Sequence, residues 1–430
     1  MTSRKHSRDA TLTALACAIG MMVSVVPFHI GTFPLFLGPV SREFGWGRAE
    51  FAMSVNVSGI FAAIAAPLVG RMVDRFGARA VLLPAVVLYA LATMAQSELS
   101  TSKLQFYLTY CVLGASEAIA GPVAFAHLIS SWFQSRRGLM LALVIGAAPT
   151  VSLMIMAPVT HALIGDLGWR TTYVILGATI LVLGLPAFAF LLRDPDPAAL
   201  ARAGRAPSSE PTALPGLTVP RVLATATFWM ILMALVIHSL VVNGVRAHSV
   251  ALMTDRHISA LASTLALSTF AFAGLAGNVS SGFLLDRVPS PRVAVPFFAA
   301  ALIGLFLINA ATGASMALTG MAVLGFGIGA ESGIGPYLFS RYFGMRSFGT
   351  IYGCLVSLLA IGSGLGPYLL GRAFDRFGSY DKGLELSEAG LGLGIVLILL
   401  LGRYVYAVRS PEEDEAAREA APAAAGGGRS

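Results

Sequence analysis

Twelve long apolar stretches, parted by short polar turns, occupy nearly the whole chain. They run approximately over 12–37, 50–70, 80–97, 104–131, 139–164, 171–192, 223–252, 260–285, 293–312, 314–339, 350–374 and 388–408. A helix needs ~20 apolar residues to cross a bilayer, and these stretches are of that order. They are far longer than strands, and irregular backbone in lipid leaves its polar groups unsatisfied. The pattern therefore predicts an all-α membrane protein with twelve transmembrane helices.

The pattern also repeats. Gly70 to Arg79 (GRMVDRFGAR) returns 212 positions later as Gly282 to Arg292 (GFLLDRVPSPR), each copy between two apolar stretches. The fourth stretch carries VLG at 112–114, Glu117, Gly121-Pro122 and Trp132-Phe133. The tenth carries VLG at 323–325, Glu331, Gly335-Pro336 and Tyr342-Phe343, at offsets of 211, 214, 214 and 210. Pro158 with Asp166 matches Pro367 with Asp375 at an offset of 209. Duplication of a six-helix bundle accounts for these offsets, and two similar halves rocking around a central site is the build of a secondary transporter.

The segment 193–221 holds six prolines with Ser, Gly and Arg, and is expected to be a solvated linker between the halves. The expected organisation is an N-tail at 1–10, a first bundle at 11–192, the linker, a second bundle at 222–408, and a disordered tail at 409–430. The tail is acidic, then rich in Ala and Gly.

Composition supports the membrane reading. Of 430 residues, 56% are hydrophobic and 12% charged, against about 25% charged in a soluble domain. The net charge of +7 invites a nucleic-acid partner, but its distribution excludes one. Of 29 Lys and Arg, 20 fall in the N-tail, the even-numbered loops or the C-terminal end, eight in the opposite loops, and one, Arg246, inside a stretch. That is the bias that puts both termini in the cytoplasm. Arg4, Lys5 and Arg8 precede an apolar run too long for a signal peptide, so the first helix is expected to stay in the membrane. Cys17, Cys111 and Cys354 sit in apolar stretches without metal-site spacing and read as core residues. No Walker A loop, nucleophile set or metal cluster stands out, so no enzyme and no cofactor is expected.

Charges in hydrocarbon cost at least ~2.5 kcal/mol at a helix centre, so they face a cavity or a partner. Glu117, Glu331 and Arg246 are the clear cases. Proton coupling is one use of the Glu pair, since a cavity that alternates between wet and sealed shifts a carboxyl pKa. The other is bonding to a neighbouring backbone beside each Gly-Pro kink. Arg246 either binds a substrate anion or forms a salt bridge at an outer gate. His29, His127, His238 and His248 lie in stretches near these charges and are candidates for proton relay or for packing. Asn56, Asn243 and Asn278 are cavity residues or interhelical hydrogen bonds. Gly70, Asp74, Arg75, Arg79, Gly282, Asp286 and Arg287 are expected to form a cytoplasmic gate, a latch holding the outward-open state.

The Gly-x-x-x-Asp-Arg-x-Gly-x-Arg turn at 70–79 resembles the signature of the major facilitator superfamily between helices 2 and 3, with a degenerate second copy in which Pro289 replaces a Gly. Within it, EFGWGRAEF at 43–51, SWFQSRRGL at 131–139, GWR at 168–170, HSVALMTDRHIS at 248–259, and RYFGMRSFGTIYG at 341–353 followed by GPYLLGRAFDRFGSY at 366–380 resemble the monocarboxylate porter and oxalate:formate antiporter group. The resemblance implies two pseudo-symmetric bundles, with helices 1, 4, 7 and 10 lining a central cavity. It implies a monomer moving a small organic anion, a monocarboxylate, with a proton. That group often has a substrate-binding Arg in helix 8, where this chain has Asn278. The rival transporter reading is proton-driven efflux of a drug or other apolar compound. Superfamily exporters often carry Gly-Pro-x-x-Gly-Gly in helix 5; IMAPVTHA at 155–162 lacks that Gly pair.

Overall fold

A computed structural model describes residues 2–119, 125, 128–129, 132–133, 140, 142–193, 216–288, 290–344 and 346–405. Among them the chain is helical throughout, and the helices number twelve. α1 is broken into Thr2–Met22, a π-turn at Val26–Ile30, and Phe33–Phe44. Then come α2 (Arg48–Phe76), α3 (Ala78–Ala95) and α4 (Lys103–Ile119). α5 and α6 are the two arms of Ala148–Pro186, parted at Gly168, whose φ of 78° only glycine adopts without strain. α7 (Ala226–Asp255) and α8 (Ala260–Arg287) start at Thr225 and Ser259, whose hydroxyls accept from the Phe228 and Ala262 amides. α9 is Val295–Asn309. α10 is broken at Ala330 into Ala314–Gly329 and Glu331–Phe343, and α11 (Phe348–Phe377) and α12 (Asp381–Leu399) follow. Seven stretches among the described residues are long and apolar enough to cross a membrane by length and composition, one of them (Leu143–Leu191) holding both α5 and α6.

Three expectations need correction. α12 runs over 381–399 rather than 388–408: the polar turn DKGLELSE, with its Lys382–Glu385 pair, begins the helix instead of preceding it. α1 is not one helix. Ser24 and Thr32 donate to the Met21 and Phe28 carbonyls, and Ser152 to that of Met22, so side chains satisfy backbone that the break releases. The linker is not solvated to residue 221. Gly216 pairs with Gly344, the Leu217 amide donates to the Phe343 carbonyl, and the short helix Val219–Leu223 buries Val222 against the second half. The tail at 409–430, His127 and Gly121-Pro122 lie outside the described residues.

Successive helices alternate in direction, which gives two faces. We call the tail face the one where α1 begins and α12 ends, and the far face its opposite. The core falls into three clusters. One fills the first half, and two fill the second, one toward each face. The far cluster of the second half takes in Leu35 and Ala157 of the first half, and the first half's cluster takes in Ala247 and Ala251 of α7. Among the described residues, the tail-ward cluster contains buried residues of the second half alone. Apolar packing therefore joins the halves toward the far face.

Candidate substrate site and its gates

Two prolines each open a polar contact at that seam. Pro34 has no N–H to offer the Ile30 carbonyl four residues before it, and Pro158 has none for Met154. Donors from the other half fill both vacancies. Arg246 Nη1 on α7 donates to the Ile30 carbonyl at 3.1 Å, and Ser268 Oγ on α8 to the Met154 carbonyl at 2.8 Å.

Arg246 thus sits between the halves. Its Nη2 donates to Asn243 Oδ1 at 3.2 Å, and Asn243 Nδ2 donates in turn to the Ser239 carbonyl at 2.9 Å. Every partner is a neutral oxygen. Among the described residues no carboxylate lies within ion-pair distance of Arg246. The salt bridge that the sequence left open is therefore not made, and the guanidinium keeps its charge uncompensated in a partly buried site. The sequence named Arg246 and Asn243 separately; the structure joins them.

His238, two turns toward the tail face, pairs with Glu331. Its Nδ1 lies 3.3 Å from Glu331 Oε2, within hydrogen-bond distance. Glu331 is the first residue of the second arm of α10. The His238 ring packs on Phe298 at 4.5 Å, and its buried Nε2 has no hydrogen-bond partner among the described residues. Glu331 is thus bonded to a side chain and not to the backbone beside its Gly-Pro kink. Glu117 is half-buried on α4. His29 is buried in the α1 break against Tyr110, at 4.8 Å. Asn278 lies on an exposed face of α8, where α10 crosses at Gly329. The structure therefore makes two pairs, Arg246–Asn243 and His238–Glu331, and leaves Glu117, His29 and Asn278 outside them.

The far face is closed by a group that sequence reasoning missed. Arg48, first residue of α2, makes a bidentate ion pair with Asp255 at the end of α7, at 2.6 and 3.0 Å. Its guanidinium stacks 3.7 Å over the Phe374 ring. It also donates to the Tyr380 hydroxyl at 2.5 Å. Tyr380 lies 2.9 Å from His248 Nδ1, and His248 Nε2 lies 2.8 Å from the Pro367 carbonyl. That carbonyl only accepts, so Nε2 carries the proton and Nδ1 takes the Tyr380 proton. His248 is therefore a satisfied packing histidine. Asp375 of α11 caps α2 from the other half, accepting from the Arg48 and Ala49 amides at 2.9 and 3.0 Å. Asn56 Nδ2 donates to the Gly364 carbonyl at 2.8 Å one level deeper.

The predicted gate residues lie at the tail face, and among the described side chains Arg75 and Arg287 form no ion pair between the halves. Arg75 stacks on Phe76 and Arg287 on Phe283, each on its own helix. Arg79 donates to the Ala189 carbonyl within the first half. Gly282 meets open space. The side chains of Asp74 and Asp286, and the surroundings of Gly70, lie outside what the structure describes. Along α2, Ala49, Asn56, Ile60 and Ala63 fall within about 60° of one face. Ala49 is buried, Asn56 half-buried, and Ile60 and Ala63 exposed. On α11, Gly371 and Gly364 are buried and Ala360 is exposed. The two helices meet at the far face and part toward the tail face.

Comparison with known proteins agrees with this architecture. The model of the Major Facilitator Superfamily matches residues 12–367. An uncharacterized MFS-type transporter of Escherichia coli (strain K12), YhjX, is 24% identical over 370 residues, covering 84% of this chain and 88% of that one. Monocarboxylate transporter 13 of Bos taurus is 27% identical over 390 residues, covering 89% and 86%. The crystal structure of a bacterial homologue of the human lysosomal transporter Spinster, inward-facing and occupied, superposes with a TM-score of 0.67 at 16% identity, covering 91% and 94%.

Proposed function

Since this chain belongs to the Major Facilitator Superfamily and is a secondary transporter of that type, not an enzyme, we propose that its cargo is a small organic anion, a monocarboxylate, moved with a proton by alternating access. The observation that carries the reading is Arg246, a cation at the seam between the halves held only by neutral oxygens. An incoming carboxylate supplies the missing charge and touches both halves at once. Binding energy gained there is felt by the rocking motion, which is what a transport cycle requires. The absent helix 8 Arg, replaced by Asn278, leaves Arg246 to do this work. The 27% likeness to a monocarboxylate transporter supports the same substrate class.

The His238–Glu331 pair is the proposed proton site. Its proton leaves when the cavity wets and returns when it seals, and Glu117 is the second candidate. Arg48 and its partners form the outer gate, and the Asp74–Arg75 and Asp286–Arg287 turns the cytoplasmic latch. With both termini in the cytoplasm of an inner-membrane protein, the far face points outward and the conformation described is the inward-open one, with the latch parted.

Purified protein in vesicles, offered labelled organic acids with and without a pH gradient, tests the substrate class. Gradient-driven accumulation of a monocarboxylate supports it; accumulation of none of the acids contradicts it. Glu331→Gln tests the proton site: accumulation driven by the gradient falls to background while exchange of labelled for unlabelled substrate continues. Normal accumulation in that variant would remove the pair from the proposal.

A further inference from the structure

A second polar site lies at the far face, away from Arg246 and His238. A cavity of about 360 Å³ opens between α1 and α5 of the first half and α7 and α8 of the second. Its volume falls at the lower end for a small-molecule pocket. Pro34, Leu35, Ile164 and Val250 make much of the wall apolar. Three features at its polar end suit an anion. Arg42 and His161 line it, and neither makes a hydrogen bond or ion pair among the described residues. Ala260, first residue of the 28-residue α8, places a helix N-terminus there. Ser41 also lines it, 8% exposed, and its buried Oγ has no hydrogen-bond partner among the described residues. The other lining charges, Arg48 and Asp255, neutralise each other at 2.6 Å.

We propose that this cavity binds a small carboxylate with a short apolar body, its charge on Arg42 with Ser41 and His161 donating beside it. The occupant touches both halves where they are joined, so it favours the conformation closed at the far face. High anion concentration on that side then slows the return of the carrier. The site stands apart from Arg246, and its test reads the cavity alone.

Gly165 lines the cavity, and a side chain added there meets nothing within 4 Å. In a background with the three cysteines replaced, Gly165→Cys is labelled with a maleimide at increasing butyrate, with butyramide as the neutral control. The expected result is that butyrate slows labelling and butyramide does not. Arg42→Gln raises the butyrate concentration needed for half-protection about tenfold, as for loss of one charged hydrogen bond. Arg246→Gln leaves that concentration unchanged, which separates this site from the transport site. No protection by butyrate, equal protection by butyramide, or the same half-protection in Arg42→Gln overturns the proposal. Gly165→Cys and Arg42→Gln alter no hydrogen bond among the described residues, whereas Arg246→Gln removes those to Ile30 and Asn243, so a thermal melt of each verifies the fold.

Discussion

At the far face, α2 and α11 share a cap, a stacked guanidinium and a close backbone contact, and α7 adds a bidentate ion pair. Toward the tail face the same surfaces of α2 and α11 present Ile60, Ala63 and Ala360 without cover. The sequence differs between the two ends in kind. The far end spends Arg48, Asp255, Asp375 and Tyr380 on directed bonds between halves. The tail end keeps Arg75 and Arg287 on their own helices. A pair of helices closed at one end and parted at the other describes one state of a rocking machine. Each end's bonds decide which state is populated.

Breaking the far end should have the largest effect. Arg48→Ala removes the Asp255 pair, the Tyr380 bond and the stack on Phe374 together. Losing a partly buried ion pair of this kind costs on the order of 2–3 kcal/mol. That shifts the balance toward a far-open state roughly 30- to 150-fold. Spin labels on α2 and α11 near the far face should move apart; an unchanged distance distribution would show that Arg48 does not hold this gate. Gly371→Ala sharpens the same contrast. A Cβ there lies 2.7 Å from the Ala49 amide nitrogen, across the seam. Overpacking of this type costs about 1–3 kcal/mol, here against the far-closed state only. Gly366→Ala presses on the Leu240 carbonyl within the second half. It should lower the melting temperature without moving the labels. Equal effects of the two alanines on label distance would refute the division.

The sequence showed the helices because each is an apolar run of membrane length, and it showed the two halves because the matched offsets survive in Glu117 and Glu331. It did not show where the helices break. The α10 break falls at Ala330, five residues before Gly335, and the α1 break depends on Ser24, Thr32 and Ser152 accepting the work of a missing helix turn. Contacts between halves were also hidden. Asp375 caps an amide 327 positions away, and Glu331 meets His238 across 93. Separation in sequence carries no trace of that proximity. Pro34 and Pro158 were the usable signal, since each marks a carbonyl four residues back that needs a donor from elsewhere.

The smallest effect belongs to the far rim of the first half, which does not bridge the seam. Hydrogen bonds from the Arg170 and Trp169 side chains to Glu43 hold its carboxyl below the usual range. A depressed carboxyl pKa adds stability above the unfolded value of about 4.3, and the gain is lost as pH falls through the lower folded value. Both partners are about two-fifths exposed, so solvent weakens the pair. Melting curves of the protein and Glu43→Gln should differ slightly at pH 7 and converge in acid, with label distances the same. A gap that widens in acid would reverse the assignment.

The central claim is that Arg246 receives the substrate's charge between the two ends. Initial uptake rates of a labelled monocarboxylate into vesicles, as a function of concentration, test it in wild type, Arg246→Lys and Arg246→Gln. Lys keeps the charge and loses the two-pronged geometry, so apparent affinity should weaken with the maximal rate largely kept. Gln should abolish uptake of the anion while the protein remains folded in the membrane. Uptake by Arg246→Gln with unchanged affinity would contradict the account.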